Sequence, residues 1–398
     1  MKRYSVAIVG AGLAGGLSAF ALARRGLRVA VIDRAPHLAA KGSGNLFAIL
    51  TPYLSTTSSP LETLYSLGYA FTQNLLRCNP ACSTSFRKCG ALHLPSTKRL
   101  AQLLQSDRTI LSHTLVQRVS PTEASSLAGT AVRSMALHIP DAGFISPRSF
   151  IEGLLTEVSP HLDLLLETEF VSLTRQDASW QVSCSNRTVV NSSAVVLCGA
   201  YEAATLPLSA WLPLEAIRGQ TACLSENSTL ATLRCVLAYG GYLTPGVGGI
   251  HLIGAHYSHG DDETSPRATD TETMINDCND WLPELLLTRH QVTAERVCFR
   301  TSTLDRLPYI GALPDFVAFK EACRRYRSGT DLRSKITIST LPGLFVSVGH
   351  GSRGLLSAPI GGEIIARLIT GEPLGELAAA AETTAPSRLP WRLSANHE

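Results

Sequence analysis

Ser5-Val6-Ala7-Ile8-Val9-Gly10-Ala11-Gly12-Leu13-Ala14-Gly15 opens a run that closes at Val31-Ile32-Asp33. Ser5 to Val9 is apolar and partly β-branched, the pattern of a short buried strand. Gly10, Gly12 and Gly15 then fit G-x-G-x-x-G. Leu17 to Arg25 reads as a helix with Gly26 as its C-terminal cap, and Leu27 to Ile32 as a second strand ending at Asp33. The spacing predicts a complete βαβ unit. Gly10 permits the tight turn, Gly12 lets backbone approach a pyrophosphate, and Gly15 lets helix and strand pack closely. The helix N-terminus, with the amides of Leu13 and Ala14, offers partial positive charge to phosphates. Asp33 stands where an acid accepts hydrogen bonds from ribose hydroxyls. A glycine-rich turn alone is a weak signal. Set in strand, helix, strand and acid, it marks a dinucleotide site, and the acid favours FAD or NAD over NADP.

Working outward, the chain has 398 residues, 45% apolar and 17% charged, with a formal net charge of +3. That is a globular composition with ample material for a core, and length alone suggests two or three domains. So weak a charge excess neither demands nor excludes a nucleic-acid partner. The ten cysteines are scattered, with no CxxC pair and no zinc-ligand spacing. Neither a disulfide framework nor a metal is expected, and a reducing cytoplasm fits. The basic start from Met1 to Arg3 is not expected to open a signal peptide, because Gly10, Gly12, Gly15 and Gly16 break the apolar run. No stretch is long and apolar enough for a membrane span.

Two further segments bear on the nucleotide. Lys41-Gly42-Ser43-Gly44-Asn45 is a small polar loop before the apolar run Leu46–Leu54. Far downstream, Leu344 to Val348 reads as a buried strand. Gly349-His350-Gly351-Ser352-Arg353-Gly354 follows, then an apolar helix from about Ser357 to Ile369, closed by Gly371 and Pro373. A second strand, glycine-rich turn and helix N-terminus point donors at something electron-rich. Ala194 to Leu197 reads as a strand entering Cys198-Gly199-Ala200. Tyr239–Thr244 and Gly249–His256 read as strands of a separate antiparallel sheet. The Pro/Ser/Thr-rich tail after Ala378 is expected to fray.

These segments resemble amine-oxidising flavoproteins of the D-amino-acid-oxidase class. The resemblance selects FAD, with Ser43, Gly44 and Asn45 along its pyrophosphate and ribityl chain. It puts Gly199 on the nucleotide side and Val171 on the strand that passes the adenine. It also aims the Gly349, Gly351, Ser352, Arg353, Gly354 and Leu355 turn at the flavin edge. The expected fold is α/β: a Rossmann-type FAD-binding domain (1–75, 145–212, 296–398) interleaved with an antiparallel-sheet substrate domain (76–144, 213–295).

On the substrate side, an arginine fork suits a planar carboxylate and a tyrosine hydroxyl adds a hydrogen bond. Arg300 and Tyr242 match the carboxylate-binding positions of glycine oxidase, and Arg353 is a further candidate. Arg218-Gly219-Gln220, Tyr242-Leu243-Thr244-Pro245, Ser302 to Pro308 and Gly351-Ser352-Arg353-Gly354-Leu355 sharpen the match. Together they resemble the FAD-dependent oxidoreductase domain of MnmC-type wobble-uridine modification enzymes. The resemblance implies a tRNA substrate bearing 5-carboxymethylaminomethyl-uridine, with or without a 2-thio group, and oxidative loss of the carboxymethyl group. Family members are often fused to a preceding methyltransferase. This chain starts at the fingerprint, so that domain and its activity are not expected, and a separate tRNA methyltransferase is a candidate partner. An oxidase of free glycine or sarcosine would use the same arginine and tyrosine. A third reading is a non-catalytic FAD-carrying tRNA-binding protein. Arg324, Arg325, Arg327 and Arg333, with Lys320 and Tyr326, form a candidate RNA-facing cluster. His256 and His259 read as structural or solvent-exposed. His350 stands where that branch more often has another residue, and its role is open.

Overall fold

The computed structural model describes residues 3–55, 57–105, 116–327 and 338–388. They divide into two compact units. The first comprises Met1–Ser43, Ile151–Glu215 and Arg300–Glu398, and the second Gly44–Phe150 and Ala216–Phe299.

The first unit is built on a parallel core. The strand Arg3–Val9 pairs in parallel with Val29–Ile32 on one side and Val189–Leu197 on the other. Val29–Ile32 pairs onward with Leu162–Leu165. Val189–Leu197 forks. Its first half pairs antiparallel with Ser179–Cys184, and its second half pairs parallel with Thr340–Val348. Val6, Ala7 and Ile8 have no exposed surface, as expected for a strand covered on both faces.

Two helices pack on this sheet, Leu13–Ala23 and Gly354–Thr370. Both are buried over most of their length, which explains their near-continuous apolar sequence. Their close approach needs missing side chains: a Cβ on Gly362 would lie 2.5 Å from the carbonyl oxygen of Leu17. Where the helices end together, Glu363 accepts from Arg24 (2.7 Å), Arg25 (2.6 Å) and Arg367 (3.0 Å). Burial by itself would raise the Glu363 carboxyl, but these three guanidinium groups outweigh it and hold it below the ordinary value.

As far as Arg388, the last described residue, the tail departs from the fraying expected of it. Ala378–Thr384 is a helix, and Arg388 beyond it is anchored. Its Nε and Nη2 donate to Asp305 Oδ2 and Oδ1, each at 3.1 Å. Nη2 also donates to the Leu307 carbonyl, and Nη1 to those of Thr384 (3.0 Å) and Ala385 (3.2 Å). All five guanidinium donors are thus used. Tyr309 stacks beneath the group at 4.2 Å.

The second unit holds a sheet whose strands run, in spatial order, Leu214–Ser225, Ile250–Ser258, Tyr242–Leu243, Val236–Ala238, Ala91–His93, Ala136–Ile139 and Gln117–Val119. Val292–Thr303 adds to the Leu214–Ser225 edge, and its last residues, from Arg300, belong to the first unit. From Leu214–Ser225 to Gln117–Val119, neighbouring pairs are antiparallel except Val236–Ala238 with Ala91–His93, which is parallel. The helix Ala268–Trp281 covers one face, burying Met274, Ile275 and Cys278 against Leu237, Leu243 and Ile253.

Tyr239–Thr244 is not one strand. The chain leaves Val236–Ala238, turns through Gly240 at φ 109°, and returns as Tyr242–Leu243. Residues 44–75, expected with the nucleotide domain, cluster with the second unit, where Ala48–Leu50 pairs with Gly143–Ile145. Among the described residues the cysteines are free thiols, no group of three or more His, Cys, Asp or Glu is placed to hold a metal, and no helix is long and apolar enough to cross a membrane.

Candidate functional site

In the first unit the turn after Arg3–Val9 is fixed by backbone contact. A Cβ on Gly15 would lie 1.8 Å from the Gly10 carbonyl oxygen, and one on Gly10 would lie 2.6 Å from that of Cys198. Gly10 also sits at φ 107°, which a side chain rarely adopts. Gly12 differs: its Cβ position meets only the Ser43 hydroxyl, at 3.1 Å. The backbone there is open to a close-approaching ligand, at the start of the Leu13–Ala23 helix.

Side chains from elsewhere complete this turn. Asp33 Oδ2 accepts from the Ala11 amide at 2.7 Å and Oδ1 from the Ala35 amide at 2.8 Å. A carboxylate has about four acceptor sites, so Asp33 keeps capacity for ribose hydroxyls. Ser43 Oγ accepts from the Leu13 amide at 3.0 Å. The Cys198 amide donates to the Val9 carbonyl at 2.7 Å, which sets Gly199 beside the same turn.

The second turn of this unit leads from Thr340–Val348 into Gly354–Thr370. Gly349 and Gly351 have φ of 77° and 55°. Gly351 donates to the Thr301 carbonyl at 2.8 Å and Arg353 to that of His350 at 3.1 Å. Those two amides are committed within the protein. Arg353 is the residue before the helix, and Leu355 is buried in its first turn. Arg300, also in this unit, is 9% exposed on its strand. Val171, by contrast, is 59% exposed on the edge strand Phe170–Gln176, beside a break in register.

The second unit carries the other named residues. Tyr242 pairs across strands with Gly254, and a Cβ there would lie 2.8 Å from the phenol oxygen. The missing side chain at Gly254 lets the Tyr242 ring lie flat against the sheet. Asn45 Oδ1 accepts from Arg296 at 2.9 Å. His256 Nε2 is 3.8 Å from Asp270, and His259 is exposed. Of the basic cluster, Arg333 and the side chains of Arg324, Arg325, Tyr326 and Arg327 lie outside the described residues. Lys320 sits 5.0 Å from the Phe316 ring centre.

The sequence marks Arg218 only as part of the Arg218-Gly219-Gln220 motif. It is fully buried, donating to Asp270 (2.6 Å), Gln220 (3.0 Å) and the carbonyls of Glu263 and Ser265 (each 2.8 Å). It ties the loop before the Ala268–Trp281 helix to the sheet. Its strand, LEAIRGQTACLS, mixes polar and apolar residues, so the sequence does not mark this arginine as buried.

A parallel βαβ unit with open glycine backbone, an acid at the second strand and a second glycine turn defines a dinucleotide-dependent oxidoreductase. The donor set fits FAD: bare backbone at Gly12, a helix N-terminus for pyrophosphate and Asp33 for ribose. Comparison with known proteins agrees: residues 5–368 match the FAD dependent oxidoreductase family, and the chain belongs to it. It is 34% identical over 98% of its length to the tRNA 5-methylaminomethyl-2-thiouridine biosynthesis bifunctional protein MnmC of Stutzerimonas stutzeri. It is 32% identical over 97% to that of Chromobacterium violaceum. The chain spans 59% of the length of each of these curated relatives. Among solved structures, glycine oxidase from Geobacillus kaustophilus matches with a TM-score of 0.77 at 23% identity, covering 98% of this chain and 99% of that one. At that identity the likeness shows the fold alone.

Proposed function

We propose that this enzyme removes the carboxymethyl group from 5-carboxymethylaminomethyl-(2-thio)uridine at the tRNA wobble position, leaving the 5-aminomethyl form. The observation that carries this reading is the 34% identity to MnmC across 98% of the chain. The modified base is chemically an N-substituted glycine. Bound FAD supplies a two-electron acceptor for a hydride from the glycine Cα. With the amine bound neutral, the substrate becomes an imine as the nitrogen gives up its proton, and water then splits it into glyoxylate and the aminomethyl group. In this reading Arg300 binds the carboxylate as a fork and Tyr242 adds a hydrogen bond, so that the Cα–H is presented in one orientation. Arg353 is the next candidate for the same task. No acid–base side chain is required.

A second reading, oxidation of free glycine or another small amino acid, draws support from the glycine-oxidase-like fold, because the same carboxylate clamp would serve it. tRNA is the proposed macromolecular partner and the cytoplasm the proposed setting, with a separate tRNA methyltransferase as a further candidate. Nucleoside analysis of tRNA from a strain lacking the gene separates the readings. Build-up of the carboxymethylaminomethyl nucleoside, reversed by the intact gene, is the expected result. An unchanged nucleoside profile would remove the tRNA reading.

A further inference from the structure

His350 stands between Gly349 and Gly351, in the turn that joins the strand Thr340–Val348 to the helix Gly354–Thr370. Its Nε2 is 3.1 Å from Ser347 Oγ on the strand, and its Nδ1 is 2.8 Å from Ser357 Oγ in the helix. Ser357 Oγ also lies 3.1 Å from the Arg353 carbonyl oxygen, to which it donates. A serine hydroxyl has one proton to give. With that proton on the Arg353 carbonyl, Ser357 Oγ accepts from Nδ1–H. Nε2 then carries no proton and accepts from the Ser347 hydroxyl. The chain of hydrogen bonds therefore runs one way, from Ser347 through His350 and Ser357 to Arg353, and it fixes the ring's tautomer.

Three consequences follow from that arrangement. Both ring nitrogens are engaged, so His350 has neither a proton nor a lone pair left for a substrate. The ring is neutral: burial pushes the imidazole down to about 4, outweighing the Ser347 backbone, which favours the charged form. The two serines lie on different elements, so the ring is a brace across the turn rather than a cap on the helix alone.

We infer that His350 is a positioning residue for the bound FAD, acting through the Gly349–Gly354 backbone that it holds between strand and helix. The inference rests on the family's cofactor and not on which substrate is oxidised.

The test uses the holoprotein and two readouts on the flavin: its midpoint potential, and the affinity of sulfite. Sulfite adds its sulfur lone pair to a ring nitrogen and leaves negative charge on the ring, so it senses donors that face that charge without any turnover. His350→Asn keeps a donor near the Nδ1 position, and His350→Leu keeps neither nitrogen. FAD content should stay close to one per chain in His350→Asn. Sulfite affinity should fall in the order parent, Asn, Leu, by roughly tenfold or more at the end of the series, with the potential moving to more negative values in step. If His350→Leu does not fold, Ser357→Ala, which removes the Nδ1 partner and the link to Arg353, should reproduce the loss. Sulfite affinity and potential within twofold of the parent in His350→Asn and Ser357→Ala would overturn the proposal. So would equal losses in Asn and Leu, which mark the ring as space-filling only.

Discussion

The first unit contains two strand–turn–helix passages, and they are held in different ways. After Arg3–Val9 the backbone sets its own shape: Gly15 packs on the Gly10 carbonyl and Gly10 on the Cys198 carbonyl, while Asp33 and Ser43 reach in from later in the chain. After Thr340–Val348 the turn is braced by its own side chains, from Ser347 through His350 to Ser357. There neither Gly349 nor Gly351 presses on backbone at such close range. A Cβ on Gly349 would meet a side-chain carbon of Thr303 at 2.6 Å, and one on Gly351 would meet nothing closer than 4.0 Å. Steric necessity leaves a spacing that any reader of the sequence can find. A hydrogen-bonded brace leaves almost none.

The strongest way to break that contrast is at the first turn. Gly15→Val places carbon atoms inside a backbone carbonyl, and the chain should yield no FAD-loaded protein. Gly12→Val, whose Cβ meets only the Ser43 hydroxyl, should fold yet come out colourless, with normal far-UV circular dichroism and little bound flavin. Equal flavin loading of Gly12→Val and the parent would remove the fingerprint assignment.

Arg388→Ala comes next. Burial alone would raise the Asp305 carboxyl, and the bonds from Arg388 bring it below the ordinary value. Removing the arginine takes its charge from a part-buried carboxylate that keeps bonds from Thr303 and Leu307, and should cost about 3 kcal/mol. Urea unfolding followed by fluorescence checks it, and a loss below about 1 kcal/mol would make the contact incidental.

A smaller effect separates the two turns by pH. His350 is neutral when folded, with its value lowered from 6.5 to about 4 by burial. The unfolded chain takes up the proton first. The stability this group contributes is therefore complete above the ordinary histidine value and is lost as pH falls from there towards about 4. Within that window the slope from this residue is at most about 1.4 kcal/mol per pH unit. Urea midpoints of the parent and of His350→Leu should converge as pH falls. Parallel curves would contradict a neutral, braced ring. Least of all, Gly351→Ala should cost only about 1–2 kcal/mol, from its positive φ in open space.

What the sequence disclosed follows the same division. The βαβ unit, Asp33 and the closing helix were legible because glycine spacing and apolar runs report backbone packing directly. The Ser347–His350–Ser357 brace was not, since its members are ordinary residues spaced three and seven positions apart and only the turn brings them together. Arg388 was hidden by composition: a Pro/Ser/Thr-rich tail reads as loose, and its partner Asp305 lies 83 residues earlier. Tyr239–Thr244 reads as one strand because alternation is blind to the reversal at Gly240. The join at Ser43/Gly44 follows from strand pairing of Ala48–Leu50, which a loop composition does not announce.

The proposed reaction is tested most directly by anaerobic stopped flow, watching the bound flavin bleach on mixing with tRNA that carries 5-carboxymethylaminomethyl-uridine. The parent protein should be reduced rapidly by that tRNA and slowly, if at all, by free glycine. Each charge-assisted hydrogen bond to the carboxylate is worth about 1.5–3 kcal/mol, so Arg300→Ala should lose at least ~10-fold and up to more than ~100-fold in kcat/KM. FAD content should be unchanged, and lysine at that position should restore only part. Reduction by free glycine at concentrations that leave the tRNA reaction silent would contradict the tRNA assignment. Reduction of Arg300→Ala by modified tRNA at the parent's rate and half-saturation would contradict the clamp.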